Sequence, residues 1–240
     1  MRTSKLWLGT AALIAGAAAA LPAQAGDTNG DFMVRVLGTV VAPETDVKSV
    51  TTNGAPIAGA DADVSTQVIP ALTLTYFFNK NLAVELFCCF TKHDIDGKGT
   101  LSGLGEIADA WIFPPVLTLQ YHFDDMGGFK PYVGVGAQYM HFFSEGTGAN
   151  VLGASSVDID DALGFALQAG VDVSLGSGWY LNADVKKVWL NTDVTWHNTA
   201  TLGEVVADVD IDPWIISAGV GYRFNLEDLF GRRVEAAPLK

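Results

Sequence analysis

The run Leu72-Thr73-Leu74-Thr75-Tyr76-Phe77-Phe78, the turn Asn79-Lys80-Asn81, and the run Leu82-Ala83-Val84-Glu85-Leu86-Phe87-Cys88-Cys89-Phe90 decide the fold of this chain. In the first arm Leu72, Leu74, Tyr76 and Phe78 alternate with Ala71, Thr73, Thr75 and Phe77. In the second, Leu82, Val84, Leu86, Cys88 and Phe90 alternate with Ala83, Glu85, Phe87, Cys89 and Thr91. Successive side chains of a strand point to opposite faces, so a period of two marks a strand between two environments. Two such arms around a short polar turn make a hairpin.

The same alternation runs outward from this hairpin in both directions. Leu117, Leu119, Tyr121 and Phe123 precede the turn Asp124 to Gly128, and Val133, Val135, Ala137 and Tyr139 follow it. Leu163, Phe165, Leu167, Ala169, Val171 and Val173 lead to Gly176-Ser177-Gly178, and Leu181, Ala183 and Val185 lead away. Phe32 to Val41 opens the series; Trp214, Ile216, Ala218, Val220, Tyr222 and Phe224 close it. The pattern predicts an all-β protein of eight strands.

Three connections are tight turns and four are long: Ala42 to Gln67, Lys92 to Phe113, Ser144 to Asp161 and Asn191 to Asp212. An eight-stranded antiparallel up-and-down barrel sorts its connections in this way, short on one rim and long on the other, with both termini on the short side. Strands of about 10 residues, rising ~3.3 Å each at a tilt near 45°, cross an apolar band of about 25 Å. Tyr76, Phe78, Tyr121, Phe123, Tyr132, Trp179, Tyr180, Tyr222 and Phe224 fall near the short turns, where an interfacial aromatic girdle belongs. A lipocalin-like soluble barrel has the same strand count but buries its apolar set. Here the apolar set is the bulkier one, and the opposite face is rich in Gly, Ala and Thr, which suits a narrow lumen.

The ends and composition agree. Arg2 and Lys5 precede an apolar stretch from Leu6 to Ala20 and the small-x-small site Ala23-Gln24-Ala25, the form of a secretory signal peptide over residues 1–25. The stretch is short and Ala-rich for a membrane anchor. Its removal takes two cations from a chain whose formal charge is already −13, a poor partner for nucleic acid. No later stretch has the roughly 18 apolar residues of a membrane helix. Cys88 and Cys89, the two cysteines, are neighbours that point to opposite faces of a strand and are expected as free thiols; no metal-ligand spacing accompanies them.

The chain resembles the OmpW family of outer-membrane proteins, which includes AlkL-type importers. The resemblance rests on Thr75-Tyr76-Phe77-Phe78, Phe113-Pro114-Pro115, Leu119-Gln120-Tyr121-His122-Phe123, Pro131-Tyr132-Val133-Gly134-Val135-Gly136, Asp212-Pro213-Trp214 and Gly219-Val220-Gly221-Tyr222-Arg223-Phe224. It implies an eight-stranded barrel over residues 26–224 that passes small hydrophobic molecules across the outer membrane of a Gram-negative-type cell. Family members usually stop at the terminal aromatic, which serves as a signal to the assembly machinery; here a tail, 225–240, follows Phe224.

Strand direction also places the inward residues by height. Arg35, Glu85, Gln120, His122, Gln168, Asp172, Asn182, Asp184, Lys186 and Arg223 fall near the periplasmic rim, three cations and three anions among them. Charges in so narrow a lumen are tolerable only when paired, so this set is expected to plug it. Leu37, Val41, Ile69, Ala71, Phe87, Cys89, Val116, Met140, Phe142 and Ile215 fall toward the outer rim as an apolar funnel. A guest in an open funnel over a charged floor has one favourable exit, sideways into the bilayer. Pro70, Pro114, Pro115 and Pro213, placed at outer strand ends, each remove a ladder donor and so weaken the wall; Lys186-Lys187 interrupts the alternation as a bulge would.

Other chemistry is thin. His93 beside Asp94, and His141 before Ser144, are the candidates for a hydrolase site, and both read as loop or rim residues. Asp158, Asp160 and Asp161, and Asp208, Asp210 and Asp212, could bridge divalent ions to lipopolysaccharide phosphates, but they read more simply as solvated acidic loops. No cofactor motif stands out. Two functions therefore compete: a channel for hydrophobic solutes with lateral release, and a surface-interaction protein whose lumen is merely filled.

Overall fold

The computed structural model describes residues 31–148, 153–200 and 202–225. The expected signal peptide, and the tail apart from Asn225, lie outside the described residues. The described strands are β1 (Phe32–Ala42), β2 (Asp46–Thr52), β3 (Ala55–Pro56), β4 (Ala60–Val64), β5 (Gln67–Phe77), β6 (Leu82–Cys88), β7 (Thr91–Gly99) and β8 (Glu106–Phe113). They continue as β9 (Val116–His122), β10 (Phe129–Thr147), β11 (Ser156–Ile159), β12 (Ala162–Gly176), β13 (Trp179–Trp189), β14 (Asn191–Thr199), β15 (Gly203–Asp210) and β16 (Trp214–Phe224).

Eight of these close a barrel in the order β1-β5-β6-β9-β10-β12-β13-β16, with β16 paired back to β1 and every pairing antiparallel. Closure gives each of the eight a partner on both sides, which is what lets a sheet stand in a bilayer. The short turns are set by local chemistry. The Asn79 side chain accepts from the backbone N–H of Asn81 at 2.9 Å and Leu82 at 2.8 Å, and Gly176, Ser177 and Gly178 all take positive φ to reverse the chain.

The apolar alternate set faces outward around the whole circumference. Leu72 is 55% exposed and Ile216 52%, whereas Arg35 is fully covered and Lys186 is 1% exposed. A soluble barrel has the opposite arrangement, and a continuous exposed aliphatic belt is stable only against lipid. Two of the expected girdle residues are corrected: Tyr132 and Tyr180 point into the barrel. Their strands put them on the inward parity, and the Tyr132 hydroxyl has a partner there. A second aromatic belt, not foreseen, lies near the long-connection end, where Phe90 stacks on Phe113 at 5.0 Å and Phe165 on Trp189 at 5.9 Å.

The long connections are not loops. Strands β2, β3, β4, β7, β8, β11, β14 and β15 carry the barrel wall beyond its outer rim. One sheet runs β4-β7-β8 and joins the upper half of β10, and the other runs β11-β14-β15-β2-β3. The Trp196 indole N–H on β14 donates to the Ile107 carbonyl on β8 at 3.0 Å, tying the two together. Lys186-Lys187 is also corrected: β13 keeps an unbroken register with both neighbours through that pair, so Lys186 faces in, Lys187 faces out, and no bulge forms.

Candidate functional site

The lower lumen is a solid ionic network. Arg35 on β1 grips Asp172 on β12 through Nε at 3.1 Å and Nη2 at 2.6 Å, and Nη1 reaches Glu85 and Thr75, each at 2.7 Å. Lys186 on β13 pairs with Asp184 at 2.5 Å and Glu85 at 3.3 Å. Gln168 donates to both Glu85 and Asp184, at 2.9 and 2.7 Å, and accepts from Thr118 and Gln120. Tyr132 donates to Asp184, and Asn182 to Asp172, both at 2.9 Å. His122 closes the layer against Gln120 at 2.9 Å. Charges this deeply buried survive because each carboxylate accepts from several donors at once.

All ten plug residues placed by strand direction are therefore inside, but their tally was short by one. Lys130 on β10 is also buried, so the enclosed set holds four cations and three anions. Its signal was available in the sequence, at the inward parity two residues before Tyr132, but the aromatic girdle reading obscured it. Arg223 lies 3.9 Å from the Phe77 ring centroid and Lys130 lies 5.9 Å from it, so that ring faces both cations.

Above the plug the lumen turns dry. Leu37, Ala71, Phe87, Cys89, Val116, Met140, Phe142 and Ile215 are buried in one apolar cluster, with Val41 buried and Ile69 packed against the cluster. The boundary is sharp, since the Lys186 ammonium sits 4.8 Å over the Phe87 ring. The funnel was expected to end at the outer rim. It continues instead into the strand extensions through Val50, Ile107, Val157, Val194, Trp196 and Val209, which share that cluster. All of these but Val157 line a cavity of about 100 Å³ together with Val41, Phe87, Met140, Phe142 and Ile215. Sequence reading missed these residues because their strands were taken for loops.

The prolines fall differently from one another. Pro114 and Pro115 separate β8 from β9, and Pro213 separates β15 from β16, as expected of strand ends. Pro70 is inside β5, level with Gly38 of β1, rather than at its end. Beside it the wall is incomplete: β5 pairs with β6 only up to Leu72 opposite Cys88, and above that β5 keeps its β1 partner alone. Contact resumes where the Ser65 N–H meets the Asp94 carbonyl at 3.0 Å and the His93 ring meets the Ser65 carbonyl at 2.6 Å. Phe87, Cys89, Thr91 and His93, on the far bank of this seam, also line the cavity.

The remaining candidates are engaged elsewhere. His93 is held by Ser65 and Thr91, not by Asp94, and burial keeps its imidazole below the ordinary range. His141 pairs with Asp161 at 2.8 Å rather than with Ser144. Asp158 meets His197, Asp210 meets Lys48, and Asp208 and Asp210 share Asn191. Cys88 and Cys89 are both free thiols, the first half-buried and the second buried.

A closed eight-stranded barrel with an aliphatic outer wall and an ion-paired interior is a transmembrane barrel of the outer membrane. The chain is 40% identical over 227 residues to an uncharacterised outer-membrane protein, y4mB, of Sinorhizobium fredii, covering 90% of this chain and 94% of that protein. It is 32% identical over 203 residues to outer membrane protein AlkL of Ectopseudomonas oleovorans, covering 83% and 85%. Its fold is similar to the crystal structure of outer membrane protein OprG from Pseudomonas aeruginosa, with a TM-score of 0.78, 32% identity, and coverage of 83% and 98%. The OmpW family pattern matches residues 28–224. The chain belongs to the OmpW family.

Proposed function

We propose that this protein carries small hydrophobic molecules into the outer membrane, receiving them in the apolar cavity and releasing them sideways through the seam between β5 and β6–β7. The observation that carries this reading is the stacking of a dry cavity directly on an ionic plug. A guest that gives up about 150 Å² of apolar surface to water-free contact gains ~4 kcal/mol at 25 cal/mol per Å². The plug offers it nothing below, because separating its ion pairs to admit a hydrocarbon costs more than the guest returns. Bilayer hydrocarbon offers the same apolar surroundings as the cavity, so sideways movement is the level path. The interrupted pairing beside Pro70 supports that route, since no ladder bonds need to break there.

Uptake of a labelled alkane by cells with and without the protein tests the reading. Phe87→Asp or Met140→Lys, which charge the cavity, should reduce uptake to the level of cells lacking the barrel. The tightly filled lumen and the small cavity favour one competitor, a surface-interaction protein docking through its strand extensions. In that case both variants leave uptake at the wild-type value. Residues 1–25 are proposed as a cleaved signal, to be checked by the N-terminal sequence of protein recovered from membranes.

A further inference from the structure

We infer that Gln138 makes a polar subsite at the floor of the cavity, so that apolar guests bearing one hydrogen-bond donor, such as a phenol or an alcohol, are held in preference to donor-free analogues. This rests on the cavity being a solute site. Gln138 lies on β10, opposite Val116 of β9 and Gly164 of β12; its side chain points inward, is 1% exposed, and lines the cavity.

The amide orientation is fixed by the chain break next to it. The Pro114-Pro115 step separates β8 from β9 along the flank of β10, with which both pair, and Gln138 Nε2 donates to the Pro114 carbonyl at 3.3 Å. Only the NH2 half of an amide can serve a carbonyl, so Oε1 is turned away from it, and Oε1 has no hydrogen-bond partner among the described residues. Phe87, Val116, Met140 and Ile215, which share the apolar cluster of this part of the lumen, bring no donor, and Lys186, over the Phe87 ring, is held by Asp184 and Glu85.

Of the other polar lining groups, Thr91 and His93 bond to each other, His93 to Ser65, and Thr199 to the Gly203 carbonyl, while Asp61, on the outer strand β4, is an exposed carboxylate that accepts from the Ala62 N–H. Thr45 Oγ1 is also without a partner, but it belongs to a half-buried residue on the connection from β1 to β2. A water molecule needs two to four polar partners to be held, and apolar side chains around Gln138 do not supply them. A buried acceptor without a donor is a standing cost, which a hydrocarbon leaves in place and a hydroxyl group removes. Oε1 itself has almost no free surface, so a guest reaches it only as Met140, two residues along the same strand and also lining the cavity, swings its flexible side chain aside.

Phenol and anisole are a suitable probe pair, alike in shape and ring and differing in the donor. Binding of each to the purified full-length barrel in lipid nanodiscs should show the phenol-to-anisole affinity ratio falling about tenfold on Gln138→Leu and on Gln138→Met, with anisole affinity held or raised. In the unaltered protein, the carbon resonance of the Gln138 side-chain carbonyl should shift with phenol and stay in place with anisole. That measurement decides the matter even if both variants assemble poorly. An unchanged ratio in variants that still bind anisole, or a carbonyl resonance indifferent to phenol, overturns the subsite and leaves the transport reading standing. Binding of neither probe by the wild type overturns the solute site itself, and this subsite with it.

Discussion

Arg35 shows how a single side chain organises the lower lumen. Its guanidinium holds carboxylates from β6 and β12, and both lie on strands that do not touch β1 in the sheet. Truncating it as Arg35→Met leaves Glu85 short of one cation and Asp172 without its bidentate partner, a loss of about 3–5 kcal/mol. Urea unfolding of the barrel in detergent micelles should show it, and the triple change Arg35→Met, Glu85→Leu, Asp172→Leu should recover much of the loss. His93 gives a pH effect of predictable sign. Burial holds its folded-state affinity for protons below that of an open chain, so above pH of about 6.5 both states are neutral and nothing is lost. As pH falls below that value the opened state takes the proton more readily, and the packing of β4 on β7 loosens. Amide protection along β7, referred to the intrinsic exchange rate at each pH, should fall between pH of about 6.5 and 5 in the wild type and stay level in His93→Gln.

Among the elements, β5 carries the transport mechanism proposed above. It is paired along its length to β1, but to β6 only in its lower part. Ala71 and Cys89 are the next residues beyond the last pair, Leu72 opposite Cys88, and both are buried in the same apolar cluster of the lumen. In a Cys88→Ser, Ala71→Cys background, oxidation should bolt the seam shut and stop solute uptake, with dithiothreitol restoring it. Uptake equal in the oxidised and reduced forms would remove the seam as an exit. The inward parity of β5 and β6 was legible from the first hairpin alone. The seam was not, because the alternation continues unbroken from Cys88 to Thr91 while the hydrogen bonds do not. Which neighbour a strand meets is set by where the sheet bends away, and Phe90, 58% exposed and stacked on Phe113, marks that bend without announcing it in the sequence.

At the scale of the whole molecule, two structures share one core: a barrel closed by its own ladders and an extension that roofs the cavity. Replacing Asn191–Asp210 with a short turn removes β14 and β15 but no barrel pairing. The shortened protein should still migrate as a heat-modifiable folded barrel on a gel, while its affinity for an apolar guest falls at least tenfold through loss of Val194, Trp196, Ala207 and Val209 from the cavity lining. Retained affinity would place the guest lower in the lumen.

The sequence by itself determined the barrel, its eight membrane strands, their inward and outward faces, and the passage from an ionic floor to a dry upper lumen. Those properties follow from parity, because a strand has two faces and a bilayer makes one of them apolar. Tertiary structure alone decided that the long connections are strands, that the pairing stops beside Pro70, and that Gln138 is left with a bare acceptor. Each of these depends on which distant segment lies alongside, and a period of two carries no information about partners.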